Sequence, residues 1–178
     1  MSHPRMFDAF LRAQLEAGLA LADASDLLDL TPLPDDPPSR FVARFQAAGL
    51  ALDETGLIQR AELFEVGIWF PPDYLRRAEP WQVLTWLGPA RVFHPNISVR
   101  GPWICPGVLH PGTPLVDLLY QCYEIITYQK VTTVEHDALN PAACGWARDN
   151  RHRFPIDRRP LKWRRPRPTP PTAKETAE

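Results

Sequence analysis

Apolar residues near the start of the chain recur at intervals of three and four, the spacing of one face of an α-helix. The members of this stripe are Phe7, Phe10, Leu11, Leu15, Leu19 and Ala22. We therefore predict an amphipathic helix within residues 1–22, with its apolar face packed on the body of the domain. Residues 23–39 are acidic and rich in proline, a composition typical of an extended connection.

The apolar pattern becomes strand-like after residue 39. Residues 41–45 begin one strand, and extended segments resume over residues 57–58 and 61–70. The sequence DETG at residues 53–56 has turn-forming residues, including a glycine that adopts a positive φ at no steric cost. Residues 81–87 (WQVLTWL) predict a further strand, bounded by proline and glycine. These segments predict an antiparallel meander.

A second helical pattern begins after Pro114, since proline is favoured at the start of a helix. Its apolar stripe consists of Leu115, Leu118, Leu119, Cys122, Ile125 and Ile126. Cys122 lies on this stripe, so we interpret it as a core residue and not as a nucleophile. A helix, a set of strands and a second helix, in this order, predict an α+β domain.

The composition is that of one ordinary globular domain. The 178 residues are 44% hydrophobic and 23% charged, and the net charge of -1 gives no whole-chain signal for nucleic acid. No stretch approaches the roughly 20 apolar residues that span a bilayer, so no membrane association is expected. Cys105, Cys122 and Cys144 are odd in number and widely spaced, which suggests neither a disulfide framework nor a zinc site. We expect a cytoplasmic protein with no bound metal or cofactor.

The candidate chemistry lies in residues 91–105 (RVFHPNISVRGPWIC). Pro95 removes a backbone donor, so the preceding strand should end there and a loop should follow. Apolar residues 103–104 are predicted to anchor this loop and to hold Cys105 near the surface, where its thiol acts as a nucleophile. The Asn96 amide has two roles open to it: it hydrogen-bonds the loop's own backbone, or it donates to an oxyanion formed at the target carbonyl.

Three motifs of this chain resemble, in the same order, motifs of the ubiquitin-conjugating enzymes. The tripeptide His94-Pro95-Asn96, followed by Cys105, is similar to the HPN signature that precedes the thioester-forming cysteine of that family. Residues 64–74 (FEVGIWFPPDY) resemble the family's strand that ends in Phe-Pro-x-Asp-Tyr-Pro. Residues 137–143 (DALNPAA) resemble its segment Asp-Pro-Leu-x-Pro-x-x-Ala. The resemblance extends roughly over residues 41–147.

The resemblance implies a conjugating-enzyme-like fold, in which a meander sheet packs with an N-terminal helix and a central helix. It implies that Cys105 accepts a ubiquitin-like protein from an activating enzyme as a thioester and transfers it to an amine of a target protein. Asn96 matches the asparagine that stabilises the oxyanion or holds the loop. Asp137 matches the acidic residue that orients the incoming lysine, although it has the alternative role of capping a helix near Asn140. The histidine of the HPN motif is mainly structural in this family.

The chain also departs from the family pattern. Cys105 follows Asn96 by nine residues, one more than is common in the family. The family's pair of C-terminal helices is not evident after residue 150, and this divergence resembles bacterial members. Two alternatives therefore stay open. One is an inactive conjugating-enzyme-like binding module, and the less favoured one is a cysteine hydrolase that uses Cys105 with His94 and Asn96.

The last part of the chain is basic and contains interleaved aromatic residues. Residues 151–167 contain many arginines together with Phe154 and Trp163, which suits an acidic partner or nucleic acid. We favour instead a disordered or partner-covered extension, and we do not expect nucleic acid binding. The predicted organisation is an N-terminal helix (1–22), a connection (23–39), a catalytic core (40–150) and a basic, proline-rich tail (151–178).

Overall fold

A four-stranded antiparallel sheet and two long helices form the body of the computed structural model, which describes residues 3–165. The α+β class predicted from the sequence is confirmed. Within the described residues, no helix combines the length and the apolar composition needed to cross a bilayer. The elements are α1 (His3–Asp23), β1 (Leu28–Pro32), β2 (Arg40–Phe45), β3 (Gly49–Leu52), β4 (Ile58–Ala61), β5 (Phe64–Trp69), α2 (Pro80–Val83), β6 (Leu84–Gly88), α3 (Leu115–Ile126) and α4 (Pro141–Asp149).

The large sheet has the strand order β1-β2-β5-β6, and each neighbouring pair is antiparallel. Alternate residues of the central strands are buried, among them Phe41, Ala43 and Phe45 in β2 and Val66 and Ile68 in β5. Because side chains in a strand alternate between faces, this pattern gives the sheet one apolar face. The helices α1 and α3 contact each other, and their buried residues belong to the same core as that face.

A two-stranded hairpin, β3 with β4, is inserted between β2 and β5 and interrupts the predicted meander. Its turn is the predicted one: Gly56 has a φ of 86°, and the Asp53 carboxylate accepts a hydrogen bond from the Thr55 N–H at 2.8 Å. The strand β3 has little sequence signal, since Gly49–Leu52 is short and contains no β-branched residue. The strand predicted over residues 61–70 is shorter, because β5 begins at Phe64 and β4 has already ended.

The prediction that residues 23–39 form a connection is wrong in part, because β1 lies within them. This strand is the edge of the large sheet and pairs with β2. Leu28 and Leu30 are buried whereas Asp29 is exposed, so the strand does alternate with a period of two. Asp29 and Pro32 conceal that signal. An edge strand tolerates proline, because one row of its backbone donors has no partner in the sheet.

The predicted strand over residues 81–87 begins as one turn of helix, α2. Pro80 occupies the first turn of that helix, where a missing N–H removes no hydrogen bond and the fixed φ suits a helix. Val83 is buried, and the chain then extends into β6, which pairs with β5. This turn leaves the side chain of Trp81 at the surface.

The central helix α3 confirms the helix predicted after Pro114. Its apolar stripe is buried, and Cys122 lies in the core as predicted. The helix has no side-chain cap of its own, but the Leu115 N–H donates to Oε1 of Gln14 on α1 at 2.8 Å. Since the first N–H groups of a helix lack partners within the helix, this bond satisfies one of them and joins the two helices.

Residues 151–165, which we call the strap, pack along the domain. Leu161 is only 1% exposed, and the Asp26 N–H donates to the Trp163 carbonyl at 2.7 Å. The interpretation of this segment as disordered is therefore wrong, whereas the alternative that a partner covers it stays a prediction. The rest of the predicted tail, residues 166–178, lies outside the described residues.

A buried carboxylate anchors the strap. Asp157 accepts hydrogen bonds from the Ala48 N–H at 2.8 Å and from the Arg159 guanidinium at 2.6 Å. Burial by itself raises the pKa of Asp157, but the hydrogen bonds from Arg159 and Ala48 outweigh it and hold this pKa at about 2. The Tyr123 hydroxyl of α3 also donates to the Arg159 carbonyl, at 2.6 Å. The strap is thus bonded both to the segment after β2 and to the central helix.

Candidate active site

The loop between β6 and α3 carries Cys105 and is docked on the edge of the large sheet. Trp103 forms an antiparallel bridge with Thr85 of β6, and Ile97 forms one with Ile104 inside the loop. Both isoleucines are buried. Ile104 therefore anchors the loop as predicted, whereas Trp103 stays about half exposed and does not. The loop is therefore fixed directly before the cysteine.

The Asn96 side chain joins Cys105 to the segment that contains Thr132. Its Nδ2 donates to the Cys105 carbonyl at 3.0 Å, and its Oδ1 accepts from the Thr132 N–H at 2.8 Å. The backbone adds a third bond, from the Cys105 N–H to the Asn96 carbonyl at 2.8 Å. Asn96 is 4% exposed, so these partners replace water for most of its amide. Of the two roles open to this residue, the geometry favours the holding of the loop.

His94 is buried and braces the HPN turn. Its Nδ1 accepts from the Asn96 N–H at 3.0 Å, and its ring packs edge-on against Tyr128 with centroids 4.3 Å apart. Burial lowers the pKa of His94 to about 3, so the ring is neutral at pH 7. Its Nε2 has no hydrogen-bond partner among the described residues. Neither ring nitrogen is therefore bonded to Cys105. The hydrolase alternative requires such a bond.

Lys130 makes a second side-chain contact with the loop, directly after the cysteine. Its Nζ donates to the Pro106 carbonyl. Since Asn96 binds the Cys105 carbonyl, two consecutive carbonyl groups are each held by a side chain from another part of the chain. Gly107 then has a φ of 90°, a conformation that favours glycine. Lys130 has no motif around it, so sequence reasoning did not place it at the site.

Cys105 lies in an apolar groove of about 560 Å³. The groove is lined by Pro80, Trp81, Trp103, Ile104, Cys105, Gly107 and Leu139. The thiol is partly buried, yet Trp81 and Trp103 remain 58% and 47% exposed. Two large exposed aromatic side chains beside a partly buried thiol are typical of a surface that another molecule covers.

The carboxylate of Asp137 lies outside the groove. The residue belongs to a 3-10 turn, Glu135–Asp137, and its exposed side chain is 3.5 Å from Nε2 of His136. It is not among the residues that line the groove. The structure thus brings Cys105 and Asn96 together and leaves Asp137 exposed at the surface, outside the groove lining.

The segment that follows Asp137 is joined to the HPN turn. The N–H groups of Leu139 and Asn140 both donate to the Pro95 carbonyl, at 2.9 and 3.2 Å. Asn140 also caps α4, because its side chain accepts from the Ala143 N–H at 3.1 Å. The alternative role of Asp137 as the cap of this helix is therefore wrong. Leu139 lines the groove, so Asp137 lies two residues from the groove wall.

The other two cysteines are enclosed by the core. Cys122 and Cys144 are both buried, and burial raises the pKa of the Cys122 thiol to about 12. A thiol with so high a pKa is a poor nucleophile at neutral pH. Within residues 3–165, no group of three or more histidine, cysteine, aspartate or glutamate side chains is placed to hold a metal ion.

The function has to be interpreted from this geometry. No protein-family model matches the chain, and no curated protein matches it either. Besides the residues with a motif, the site includes Lys130, Thr132 and Trp81, which have none. Thr132 and Lys130 contact backbone or amide groups that carry no sequence signature. The one available signal near Trp81 was Pro80, because proline is favoured in the first turn of a helix and so argues against a strand that begins at residue 81.

Proposed function

We propose that this chain is a conjugating enzyme that carries a ubiquitin-like protein as a thioester on Cys105. The observation that carries the proposal is the bond between Asn96 and the Cys105 carbonyl, which holds a partly buried thiol in a groove open to a partner. The four-stranded antiparallel sheet with its N-terminal helix is compatible with a conjugating-enzyme-like fold. The buried, neutral His94 supports a structural role of the HPN histidine.

In the first step, the Cys105 thiolate attacks the thioester carbonyl that joins the ubiquitin-like protein to an activating enzyme. A bond forms between that carbon and the Cys105 sulfur, and the bond to the activating enzyme's sulfur breaks. The departing sulfur leaves as a thiolate, and the proton of the Cys105 thiol passes to solvent. The activating enzyme has already consumed ATP to make the donor thioester, so Cys105 needs no cofactor. Free thiols of this kind persist in a reducing cytoplasm.

In the second step, an amine of the target protein attacks the thioester on Cys105. A C–N bond forms, the C–S bond breaks, and Cys105 returns to its thiolate. A free lysine has a pKa of about 10.4 and is almost wholly protonated at pH 7. The ammonium therefore loses one proton to solvent before it attacks, and the nitrogen loses a second proton to solvent as the amide forms. Asp137 is suited to orient this amine, because it is exposed and two residues from the groove wall at Leu139.

The test mixes this protein with candidate ubiquitin-like proteins, their activating enzyme and ATP, and follows the adduct on a non-reducing gel. We expect an adduct that a thiol reductant removes and that Cys105→Ala abolishes. Cys105→Ser should form a reductant-resistant ester, because oxygen replaces sulfur. Cys144→Ser is the matched control and should retain the adduct, since Cys144 is buried away from the groove. An adduct that persists in Cys105→Ala would refute the proposal.

An inactive binding module is the second candidate. The exposed pair Trp81 and Trp103 favours it, since these side chains would bind a partner with or without thioester chemistry. Binding of a ubiquitin-like protein or an activating enzyme without any adduct would support this candidate. The hydrolase candidate has no such support, because His94 is buried and its Nδ1 is already bonded.

A further inference from the structure

We infer that the groove at Cys105 selects an acyl donor whose tail is neutral and apolar in the residues that precede the acyl carbon. The inference rests on the proposed function and names the substrate class of the same site. It is carried by the chemistry of the groove wall and by the position of the thiol within it.

The position of the thiol determines what occupies the groove. Any acyl group carried on Cys105 is bonded to a sulfur that itself lines the groove. The residues that lead up to the acyl carbon therefore have to cross the groove in an extended conformation. The occupant is thus the tail of the carried protein.

The groove wall has only apolar side chains apart from that thiol. Its members are Pro80, Trp81, Trp103, Ile104, Leu139 and the backbone of Gly107. A neutral apolar tail laid along this wall buries apolar surface on both sides. A basic tail would instead lose hydration without an acidic partner in the wall, and burial of an unpaired charge is strongly unfavourable.

The charges close to the groove also disfavour a basic tail. Lys130 Nζ lies 4.0 Å from the position that a Cβ on Gly107 would occupy, so an ammonium group adjoins a groove-lining residue. Glu79 precedes Pro80, but its carboxylate is already paired with Arg77 at 2.9 Å. A positive charge in the tail would thus meet a like charge near Gly107 and an already paired carboxylate beside Pro80.

The experiment uses the full chain and synthetic donors in place of the unidentified ubiquitin-like protein. The donors are mercaptoethanesulfonate thioesters of the peptides acetyl-Leu-Ala-Val-Gly-Gly, acetyl-Leu-Arg-Val-Gly-Gly and acetyl-Leu-Glu-Val-Gly-Gly, and acetyl thioester as a donor without a tail. Intact-mass spectrometry measures the rate at which each donor acylates Cys105. We expect the neutral peptide to react about tenfold faster than the arginine peptide, equivalent to about 1.4 kcal/mol in the free energy of activation. It should also react faster than the glutamate peptide, because the Lys130 ammonium already donates to the Pro106 carbonyl and the wall offers no other partner to a carboxylate.

Two substitutions in the wall test the cause of the preference. Trp103→Ala should reduce the rate with the neutral peptide more than the rate with the acetyl thioester. Trp81→Glu should raise the rate of the arginine peptide relative to the neutral one, because it adds the missing acidic partner. Leu57→Ala is the matched control, since Leu57 is 68% exposed on the remote hairpin turn, and it should change no rate.

The outcomes separate the inference from the proposed function. Equal rates for the neutral and arginine peptides, or an unchanged ratio in Trp81→Glu, would overturn the inference while Cys105 is still acylated. Failure of every donor, the acetyl thioester included, to acylate Cys105 would overturn both. Circular dichroism of each variant identifies any that has failed to fold, and the remaining wall variant then decides.

Discussion

The role of each polar residue at the site follows from the groups to which its side chain hydrogen-bonds. Asn96 was predicted from its motif, and its two bonds to backbone groups explain why a side-chain amide is needed there. Lys130 was not predictable, because its partner is the carbonyl of Pro106, and every residue has a carbonyl. A motif identifies the residues that are close in sequence. The side chains that arrive from a distance become visible only in the folded chain.

The hydrogen bond from Lys130 to the Pro106 carbonyl leads to a first prediction. Lys130→Met keeps the length of the apolar stem and removes the donor to Pro106, so the backbone after Cys105 gains freedom. We expect acylation of Cys105 by a small thioester to slow about tenfold, an increase of roughly 1.4 kcal/mol in the barrier. Stopped reactions analysed by intact-mass spectrometry give the rate. Lys162→Met is the matched control on the exposed surface. Equal rates in both variants would mean that Asn96 holds the loop alone.

The buried histidine leads to a prediction about pH. His94 has a pKa of about 3 in the folded protein, below its ordinary value of 6.5, because burial disfavours the charged ring. Between these values the unfolded chain binds a proton that the folded chain does not. The stability from the neutral ring is therefore complete above pH 6.5 and is lost as the pH falls towards 3, with a slope of up to about 1.4 kcal/mol per pH unit.

Urea unfolding at a series of pH values between about 7.5 and 5 measures this slope. His94→Asn should flatten it, because asparagine does not titrate. His152→Asn is the matched control, since His152 is exposed, and it should leave the slope as it is. Asp157, whose pKa is lowered to about 2 from 3.8, loses its contribution only at lower pH and does not interfere. An unchanged slope in His94→Asn would contradict the assignment.

Elements were predictable where a repeating apolar pattern spans several turns or strand residues. The stripe from Phe7 to Ala22 and the stripe on α3 each cover one face of a helix, and both helices formed. The strap has no such period. Leu161 is buried in the same core as Leu27 and Tyr123, which are distant from it in the chain. Its burial is a property of the tertiary structure, and a local pattern does not reveal it.

The strap leads to a prediction at the scale of elements. Leu161→Ala removes a fully buried side chain and leaves a cavity, so we expect the free energy of unfolding to fall by about 2–4 kcal/mol. Urea denaturation followed by tryptophan fluorescence measures the change. Lys162→Ala, at the exposed neighbouring position, should change it by less than about 0.5 kcal/mol. Similar values for the two variants would mean that the strap does not belong to the cooperative unit.

At the scale of the whole molecule, the three thiols differ in how deeply they are buried. Cys105 lies partly buried in the groove, whereas Cys122 and Cys144 are enclosed by the core. We expect a small maleimide to label one thiol rapidly in the native protein and all three in urea. Intact-mass spectrometry counts the labels, and Cys105→Ala should abolish the rapid one. Rapid labelling of two or more sites without denaturant would contradict the burial of Cys122 on α3 or of Cys144 on α4.

The strap contains hydrogen-bond partners that are synthesised long after the residues to which they bind. Ser25 donates to the Leu161 carbonyl, a residue 136 positions later, and Asp26 accepts from the N–H of Arg165, 139 positions later. At the usual speed of a ribosome, roughly 5–20 residues per second, these partners emerge on the order of ten seconds after the first helix. Asn96, Cys105 and Thr132, which are joined through the Asn96 side chain, are translated earlier. A nascent chain therefore contains every residue of the Cys105 loop before it contains the residues that bond the strap to Ser25 and Asp26.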